Sequence, residues 1–538
     1  MTAAVNAADS RFAPARPGWR RLTMLISLLL LGWALLLPVG TRPQWWHYVV
    51  AAVLVLTFLG SWHSQHLSTV TGRWVPMALH NRRARSQRSG RKRATNDTGS
   101  QRHRPALIKQ GPLQARIVIH LRPHPHALTT PDDRADQLPW EFITAWLHRY
   151  GIRADDLTIC SVTRTPLASG LRADSGPLLG GRNTQHHDTW LTYTLRAENN
   201  VGALAARRTT MGNTGDDSSN EESRQPHHTG LADTTARRLI AELRERGWLA
   251  TVETDSNSTP AFFPDTATLR REIWTGTEFS DGFRSVYAVD PDALNDVLEE
   301  LPTLNTKSTW VVATIRAHGN QPLTIEAAVG TVTASRPPRH PLPGLRGFHG
   351  THRHLVPALS INHSGLPAGE LAATQIGIED LAALRWPTSA MGVPIGFNPR
   401  RQPVYLGLAS PEPVRITVTG TRAFHVGVIA RLALSGLPVA LYTAEPRQWG
   451  SLANHAAPEQ FQLRPHTLPA EAIVVSDGSG PVPDGAAITV ALRRPQSAQA
   501  PATTIVITQD VNNPDLFFIT TANERQKLST RSAGSRNR

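Results

Sequence analysis

The stretch VRITVTGTRAFHVGVIARLALSG, residues 414–436, indicates the fold class more clearly than any other part of the chain. Its first residues alternate between apolar and polar, which predicts a strand over Val414–Thr419 that ends at Gly420. Apolar residues then recur at helical spacing and predict a helix over His425–Ser435. A strand that runs through a glycine turn into a helix is typical of α/β domains.

The chain around this stretch continues the alternation and predicts an α/β domain over residues 385–523. Its other predicted elements are strands Val404–Leu408, Val439–Tyr442, Ala472–Val475, Ile488–Ala491, Thr504–Thr508 and Leu516–Thr520 and helix Arg447–His455. We expect a Rossmann-like or degenerate P-loop-like sheet. The polar, basic residues 524–538 predict a disordered tail.

The turn at Gly420 lies where a P-loop would bind nucleotide phosphates. That motif, G-x-x-x-x-G-K-[ST], needs a second glycine, a lysine and a hydroxyl. Counting from Gly420, these three positions hold His425, Val426 and Gly427. We therefore expect no nucleotide hydrolysis here, and the open alternative is weak anion binding by the helix N-terminus.

Residues 111–270 predict a first, small layered α/β domain. Its predicted elements are strands Leu113–Leu121, Leu157–Val162, Trp190–Leu195 and Trp248–Val252 and helices Leu138–Tyr150 and Leu231–Gly247, with polar insertions at 165–188 and 209–230. Residues 271–384 predict a strand hairpin, Trp310–Ile315 with Leu323–Val329, followed by a Pro/His-rich connection.

Two uncharged apolar runs, residues 22–40 and 45–62, predict a hairpin of two transmembrane helices. Arginines are concentrated in the basic N-terminus, 1–21, and in the juxtamembrane linker, 63–110. The positive-inside rule therefore places both termini and the bulk of the chain in the cytoplasm, at the inner (plasma) membrane. The alternatives are a cleaved signal peptide, which lacks its small-residue cleavage site, and a buried helical pair.

The charge distribution supports a membrane rather than a nucleic acid as the acidic partner. The chain of 538 residues has 56 Lys+Arg and 42 Asp+Glu, a net charge of +14. Residues 1–110 hold 16 of these bases and two acids (16 − 2 = 14), so the other 428 residues are neutral. The basic stretch 80–105 predicts contact with anionic lipid, or else a solvated linker. It lacks interleaved aromatic residues, so no nucleic-acid partner is expected.

Other candidate residues predict no catalytic, metal or cofactor site. His349, His352 and His354 lie in a histidine-rich loop, 340–363, without the carboxylate or cysteine ligands that usually complete a zinc site. Cys160, the single cysteine, lies in an apolar strand and is interpreted as a buried side chain. The adjacent acids Asp132-Asp133 and Glu299-Glu300 need not converge on one substrate.

Three segments together resemble the EccE component of actinobacterial type VII (ESX) secretion systems. They are DTWLTYTLRAENNVGALAARR with TTARRLIAELRERGWLATV (188–208 and 234–252), GVPIGFNPRRQPVYLGL with VRITVTGTRAFHVGVIARLALSGLPVALYTAEPRQWGSL (392–452), and PWEFITAWLHRYGIRADDLTICSVTRT (139–165). The four lysines against 52 arginines agree with a GC-rich actinobacterial source.

The resemblance implies a non-catalytic subunit of the inner membrane that assembles with the EccB, EccC and EccD components, of which EccC supplies the ATPase. The sequence motifs identify no cofactor and no small-molecule substrate for this chain. The alternatives are a membrane-anchored cytoplasmic enzyme, such as a transferase with an unrecognised site, and a membrane-tethered nucleic-acid binder.

Overall fold

The structure is a computed structural model that describes most of the chain between residues 114 and 530 and shorter segments before it. The residues outside the described set are 1–11, 15–22, 24–25, 28, 33–43, 63–64, 67–69, 71, 83–113, 123–127, 131–136, 165–185, 206–226, 254–260, 264–267, 318–321, 360, 362–370, 388–391, 409, 411, 436, 457–459, 469–471, 481–482, 484, 495–502 and 531–538. Most of the first apolar run, the basic stretch after residue 82, and most of the two predicted insertions lie outside it.

The chain divides into two compact units. The first unit combines Met1–Gln101 with Leu269–Phe279 and Phe348–His354, and the second unit contains the rest. The regular elements of the first unit include helical residues 29–32, helix Trp45–Leu59, helical residues 72–82, a small sheet of Phe12–Pro14, Gly60–Trp62 and Gln65–His66, and a hairpin of Leu269–Ile273 and Gly276–Phe279.

The apolar run 45–62 is only partly helical. Its helix ends at Leu59, and Gly60–Trp62 pairs as a strand with Phe12–Pro14. Among the residues that the structure describes, no helix combines the length and the apolar character needed to cross a membrane.

The second unit contains the following strands and helices, and its strands belong to two large sheets. In chain order they are β1 Gln114–Arg122, β2 Leu128–Thr129, α1 Trp140–Ala145, β3 Asp156–Arg164, β4 His186–Arg196, α2 His227–Glu245, β5 Leu249–Val252, β6 Gly282–Val289, α3 Leu294–Glu300, β7 Ser308–Arg316, β8 Leu323–Thr333, β9 Leu345–Gly347, β10 Thr374–Ile376, α4 Ile378–Ala383, β11 Val393–Phe397, β12 Pro403–Leu406, β13 Val414–Thr419, α5 Arg422–Ala433, β14 Val439–Tyr442, α6 Gly450–His455, β15 Phe461–Leu463, β16 Ile473–Ser476, β17 Ile488–Arg493, β18 Ile505–Gln509, β19 Leu516–Thr520 and β20 Arg525–Ser529.

The first sheet is antiparallel, with the order β5-β1-β4-β3-β7-β8-β6 in this unit, and short strands β9 and β10 pair with β6 and β8. The predicted hairpin over 310–329 forms two of its interior strands, β7 and β8. The sheet therefore extends well beyond residue 270, because strands from the region predicted as a connection complete it.

The two faces of the first sheet are covered differently. One face packs its aliphatic residues, such as Ile119, Leu157 and Leu191, against the apolar sides of α1, α2 and α3. On the other face, Phe262 and Leu359 approach Gly330 of β8 so closely that a Cβ at residue 330 would overlap both side chains. Gly330 is therefore needed for close packing in the interior of a strand.

The second sheet is mixed, with the order β15-β14-β16-β17-β13-β18-β19-β20-β11-β12-β2. The strands from β15 to β18 in this order are parallel, and those from β18 to β2 are antiparallel. The fold is thus mixed α/β, as predicted. Its first parallel strand, β13, lies between β17 and β18, whereas a Rossmann sheet places its first strand beside the second and the fourth.

Two local predictions from sequence are wrong. The helix predicted over Leu138–Tyr150 ends at Ala145, because a turn with positive φ at Tyr150 and Gly151 reverses the chain. The tail predicted to be disordered begins with β20, which pairs with β19. Leu528 supplies a buried side chain there, and Arg525 and Lys527 lie over the ring of Phe518.

Candidate functional site

The carboxyl edge of the parallel strands is where open α/β sheets usually bind ligands. Strand β13 ends there at Thr419, and the turn Gly420-Thr421 leads into α5. The side chain of Thr421 caps α5 by accepting a hydrogen bond from the Phe424 N–H at 3.4 Å. The sequence therefore predicted the location and the local structure of this candidate site.

The backbone donors of the turn are bound by the protein itself. The Thr421 N–H donates to Oε1 of Gln509, at the end of β18, over 2.7 Å, and the Gly420 N–H donates to the Arg493 carbonyl over 3.1 Å. The Gln509 amide is itself held in place, because its Nε2 donates a hydrogen bond to the Pro514 carbonyl over 2.9 Å. A side-chain amide therefore occupies the position in which a P-loop would hold a phosphate.

The packing around Gly420 also leaves little room at the turn. A Cβ on this residue would lie 2.6 Å from Cδ1 of Phe424 and 2.9 Å from Oε1 of Gln509. Gly420 has none of the positive φ angles that several other glycines adopt. It is thus required by the close approach of two side chains and not by an unusual backbone conformation.

His425 takes the place that the second glycine of a P-loop would have. The side chain is buried under the first turn of α5, and its Nε2 has no hydrogen-bond partner among the described residues. Burial lowers the pKa of His425, although contacts with the backbone of Arg493 and Val418 act in the opposite direction. The imidazole is therefore neutral at pH 7 and contributes no cation to an anion site.

A second polar cluster at this edge was not predicted. Asp477, after β16, accepts hydrogen bonds from the hydroxyls of Thr443 and Ser479, and the Ser479 hydroxyl accepts from the Ala444 N–H at 2.8 Å. Burial opposes ionisation of Asp477, but these hydrogen bonds outweigh it and lower its pKa. The only sequence signal for this cluster was the turn-forming stretch DGSG at 477–480. The Asp477 carboxylate joins the loops that follow β14 and β16 through these hydrogen bonds.

The histidines of the loop 340–363 do not converge on a metal within the described part of the chain. In the first unit, His349 stacks on Trp274 with ring centroids 5.9 Å apart, and Nε2 of His352 lies 3.3 Å from the Trp274 carbonyl. No group of three or more His, Cys, Asp or Glu residues among those described is arranged to hold a metal ion. The two histidines instead pack against the turn of the hairpin 269–279.

The remaining candidates that the structure describes do not form a reactive site either. Cys160 is buried in β3, and burial raises the pKa of its thiol, so the interpretation as a buried side chain is confirmed. Glu299 lies at the surface of α3, 3.3 Å from Arg385. Asp132 and Asp133 lie outside the described residues.

Comparison with known proteins gives a consistent set of relatives. The chain matches no family model. It is 29% identical over 342 residues to the ESX-3 secretion system protein EccE3 of Mycolicibacterium smegmatis, which covers 62% of this chain and 86% of that protein. It is 27% identical over 385 residues to ESX-3 secretion system protein EccE3 from two strains of Mycobacterium tuberculosis, which covers 70% of this chain and 95% of those proteins.

These relatives support an EccE-type ESX component. They confirm the resemblance inferred from the three sequence segments, because the chain is similar to EccE3 over most of the length of those relatives.

Proposed function

We propose that this chain is a non-catalytic subunit of a type VII (ESX) secretion complex, in which it acts as a structural scaffold beside the channel and ATPase components. The observation that carries this proposal is the similarity to EccE3, which extends over 86% to 95% of those relatives. The partners that we propose are the EccB, EccC and EccD components.

The geometry of the carboxyl edge supports a scaffold rather than a nucleotide enzyme. In a P-loop enzyme, free backbone N–H groups and a lysine bind the phosphates. Here Gln509 takes the Thr421 N–H, and neutral His425 fills the position of the second glycine. The hydrogen bonds of Gln509 stabilise a closed turn between β13, α5 and β18, which is the property a structural subunit needs.

We further propose that the chain is anchored in the inner membrane through the apolar runs 22–40 and 45–62, with both termini and the two large sheets in the cytoplasm. Support comes from the helix Trp45–Leu59, whose side chains Tyr48, Val50 and Val53 are exposed. The arginines that flank the runs supply the charge asymmetry for this orientation. The basic stretch 80–105 would then lie beside anionic headgroups.

Purification of the complex tests the assembly. A tagged chain, expressed in a strain that carries the whole secretion system, is solubilised from membranes in mild detergent and analysed by mass spectrometry. We expect EccB, EccC and EccD to co-elute with it. A matched control with Val50→Arg and Val53→Arg should be lost from the membrane fraction, because arginine at the centre of an apolar span is costly. Recovery of the unmodified chain as a free monomer would contradict the proposal.

A turnover assay tests the absence of catalysis. The purified full chain is incubated with ATP, GTP and activated sugars, and we expect hydrolysis at the rate of the buffer alone. The control is Gly420→Val, which fills the turn further. Turnover by the unmodified chain that disappears in Gly420→Val would favour a membrane-anchored enzyme instead.

A further inference from the structure

The helix formed by residues 72–82 of the first unit has two chemically different sides. Val75 and Leu79 lie on one side, with Trp74 at its margin, and their side chains are 48%, 51% and 56% exposed. Residues 73, 77, 80 and 81 recur at helical spacing on the opposite side and are half-buried. The exposed residues are thus apolar apart from Arg82 at the end of the helix, and the half-buried residues are Arg73, Met77, Ala78, His80 and Asn81.

The half-buried side of this helix is bound to the hairpin 269–279 of the same unit. Nδ2 of Asn81 donates to the Glu272 carbonyl over 2.8 Å, and the Glu272 N–H donates to Oδ1 of Asn81 over 2.8 Å. The side-chain amide pairs with the strand as a backbone peptide group would. His80 adds a contact to the guanidinium of Arg353. These contacts fix which side of the helix faces away from the protein.

This orientation is the reverse of that of a surface helix in water, which buries its apolar side and exposes its polar side. The chain on both sides of the helix indicates what covers the apolar side. Before it comes the helix Trp45–Leu59 with its exposed aliphatic residues. After it, the sequence carries a dense basic run, namely Arg82, Arg83, Arg85, Arg88, Arg91, Lys92 and Arg93. A Trp/Leu/Val face followed by arginines is typical of a helix in the plane of an anionic membrane surface.

We infer that residues 72–82 form an interfacial helix, whose Trp74, Val75 and Leu79 enter the boundary between the headgroups and the acyl chains of an anionic bilayer. Arg82, which is exposed at the end of the helix, then lies at the level of the lipid phosphates. Asn81 holds the opposite side of the helix to the hairpin 269–279, so the helix joins the bilayer to a folded part of the chain. The inference rests on the membrane placement proposed above.

Depth measurements by spin labelling test this inference in the full chain. Single cysteines are introduced as Val75→Cys and Leu79→Cys in a Cys160→Ala background, labelled with a nitroxide, and reconstituted into vesicles of phosphatidylcholine and phosphatidylglycerol. Collision rates with oxygen, which enters the bilayer, and with a nickel chelate, which stays in water, give the depth. We expect both labels to favour oxygen and to lie roughly 5–10 Å below the headgroup surface.

Three control positions make the outcome specific. Val511→Cys marks full exposure to water, because Val511 is 90% exposed in a loop after β18. His80→Cys marks the side of the helix that faces the protein, and Val53→Cys marks the helix Trp45–Leu59. If the labels at 75 and 79 were as accessible to the nickel chelate as the label at Val511→Cys, the inference would be overturned. Shielding of both labels from both reagents would also overturn it, since a protein partner would then cover this side.

The label at residue 53 separates this inference from the proposed membrane placement. If residue 53 lies in the bilayer while 75 and 79 lie in water, the interfacial helix is wrong and the membrane anchor stands. If all three lie in water, both proposals fail. In vesicles of phosphatidylcholine alone, labels at 75 and 79 should move toward water, because the arginines lose their anionic partners. An unchanged depth would overturn the role assigned to the arginines.

Discussion

Replacing Asp281 by alanine should destabilise the first sheet more than replacing Arg284 by methionine, although both substitutions break the same ion pair. The guanidinium of Arg284, in β6, donates to both carboxylate oxygens of Asp281 over 2.8 and 2.7 Å and to the Phe262 carbonyl over 2.9 Å. The Arg284 side chain is 5% exposed, whereas that of Asp281 is 48% exposed. Removing Asp281 therefore leaves a buried guanidinium, whereas removing Arg284 leaves a carboxylate that is about half exposed.

The expected magnitudes follow from this difference. Asp281→Ala removes the carboxylate that faces a buried cation, and removing one partner of an ion pair costs about 3–5 kcal/mol when both partners are buried. Because Asp281 is partly in water, we expect the lower end, about 3 kcal/mol. Arg284→Met leaves a carboxylate that water can solvate and one unpaired carbonyl at Phe262, for about 1–2 kcal/mol. The free energies of opening should thus differ by roughly 1–2 kcal/mol.

Hydrogen exchange by mass spectrometry on the full chain measures these local free energies in peptides from β6 and β8. Lys307→Met is the matched control, since it removes an exposed hydrogen bond of 2.9 Å to the Asp281 carbonyl and a minor charge interaction with Asp281, and it should cost under about 0.5 kcal/mol. Equal losses for Asp281→Ala and Arg284→Met, or a larger loss for Arg284→Met, would refute the reasoning that burial of the cation decides the effect.

The same pair predicts a pH dependence. The hydrogen bonds from Arg284 hold the pKa of Asp281 below its ordinary value of 3.8. An acid whose pKa is lowered in the folded state stabilises that state above its unfolded pKa, and this contribution is lost as the pH falls through the folded pKa. The difference between the unmodified chain and Asp281→Ala should therefore be full at pH 7 and decline only below pH 3.8.

Three other substitutions test other parts of the structure. Gly330→Ala should cost about 1–3 kcal/mol in thermal unfolding, because its Cβ would overlap Leu359 and Phe262, whereas Gly202→Ala, with nothing within 4 Å, should be neutral. Asp156→Asn should raise the unfolding midpoint at pH 7 but not near pH 4. Burial raises the pKa of Asp156, so its ionised form destabilises the folded state as the pH increases. Equal effects of the substitution at both pH values would contradict this. Gln509→Ala should lower the free energy of opening at the Thr421 amide by about 1–2 kcal/mol and so speed its hydrogen exchange. Gln509→Glu, which keeps the acceptor, should have the smaller effect.

The elements that the sequence predicted best are those whose burial is continuous. Strands Val439–Tyr442 and Leu516–Thr520 have the predicted bounds, because short apolar runs between turn residues leave few alternatives. Strand β20 was missed since RQKLS contains one buried apolar residue, Leu528, and its other contacts come from cations over Phe518. Pairing partners, and not local composition, determine such a strand.

At the candidate site, the sequence predicted the turn but not what fills it. Gly420, Thr421 and the helix after them follow from a local pattern. Gln509 reaches Thr421 only because β18 pairs with β13 in parallel, across 88 residues of chain. The contact of Asn81 with Glu272 spans 191 residues in the same way. Spacing alone cannot supply such register-dependent contacts, because many registers satisfy the same apolar pattern.

The short strand β2 has a consequence for how the protein is made. Residues 128 and 129 pair with β12 at the end of the second sheet, and the Leu128 N–H donates to Oε1 of Glu524 over 3.2 Å. This piece leaves the ribosome more than 250 residues before the strand that it pairs with. Cutting the gene before residue 393 would therefore yield a carboxyl-terminal fragment with an open sheet edge. The second sheet is therefore not an independent carboxyl-terminal domain, and it can be completed only when synthesis of the chain is nearly finished.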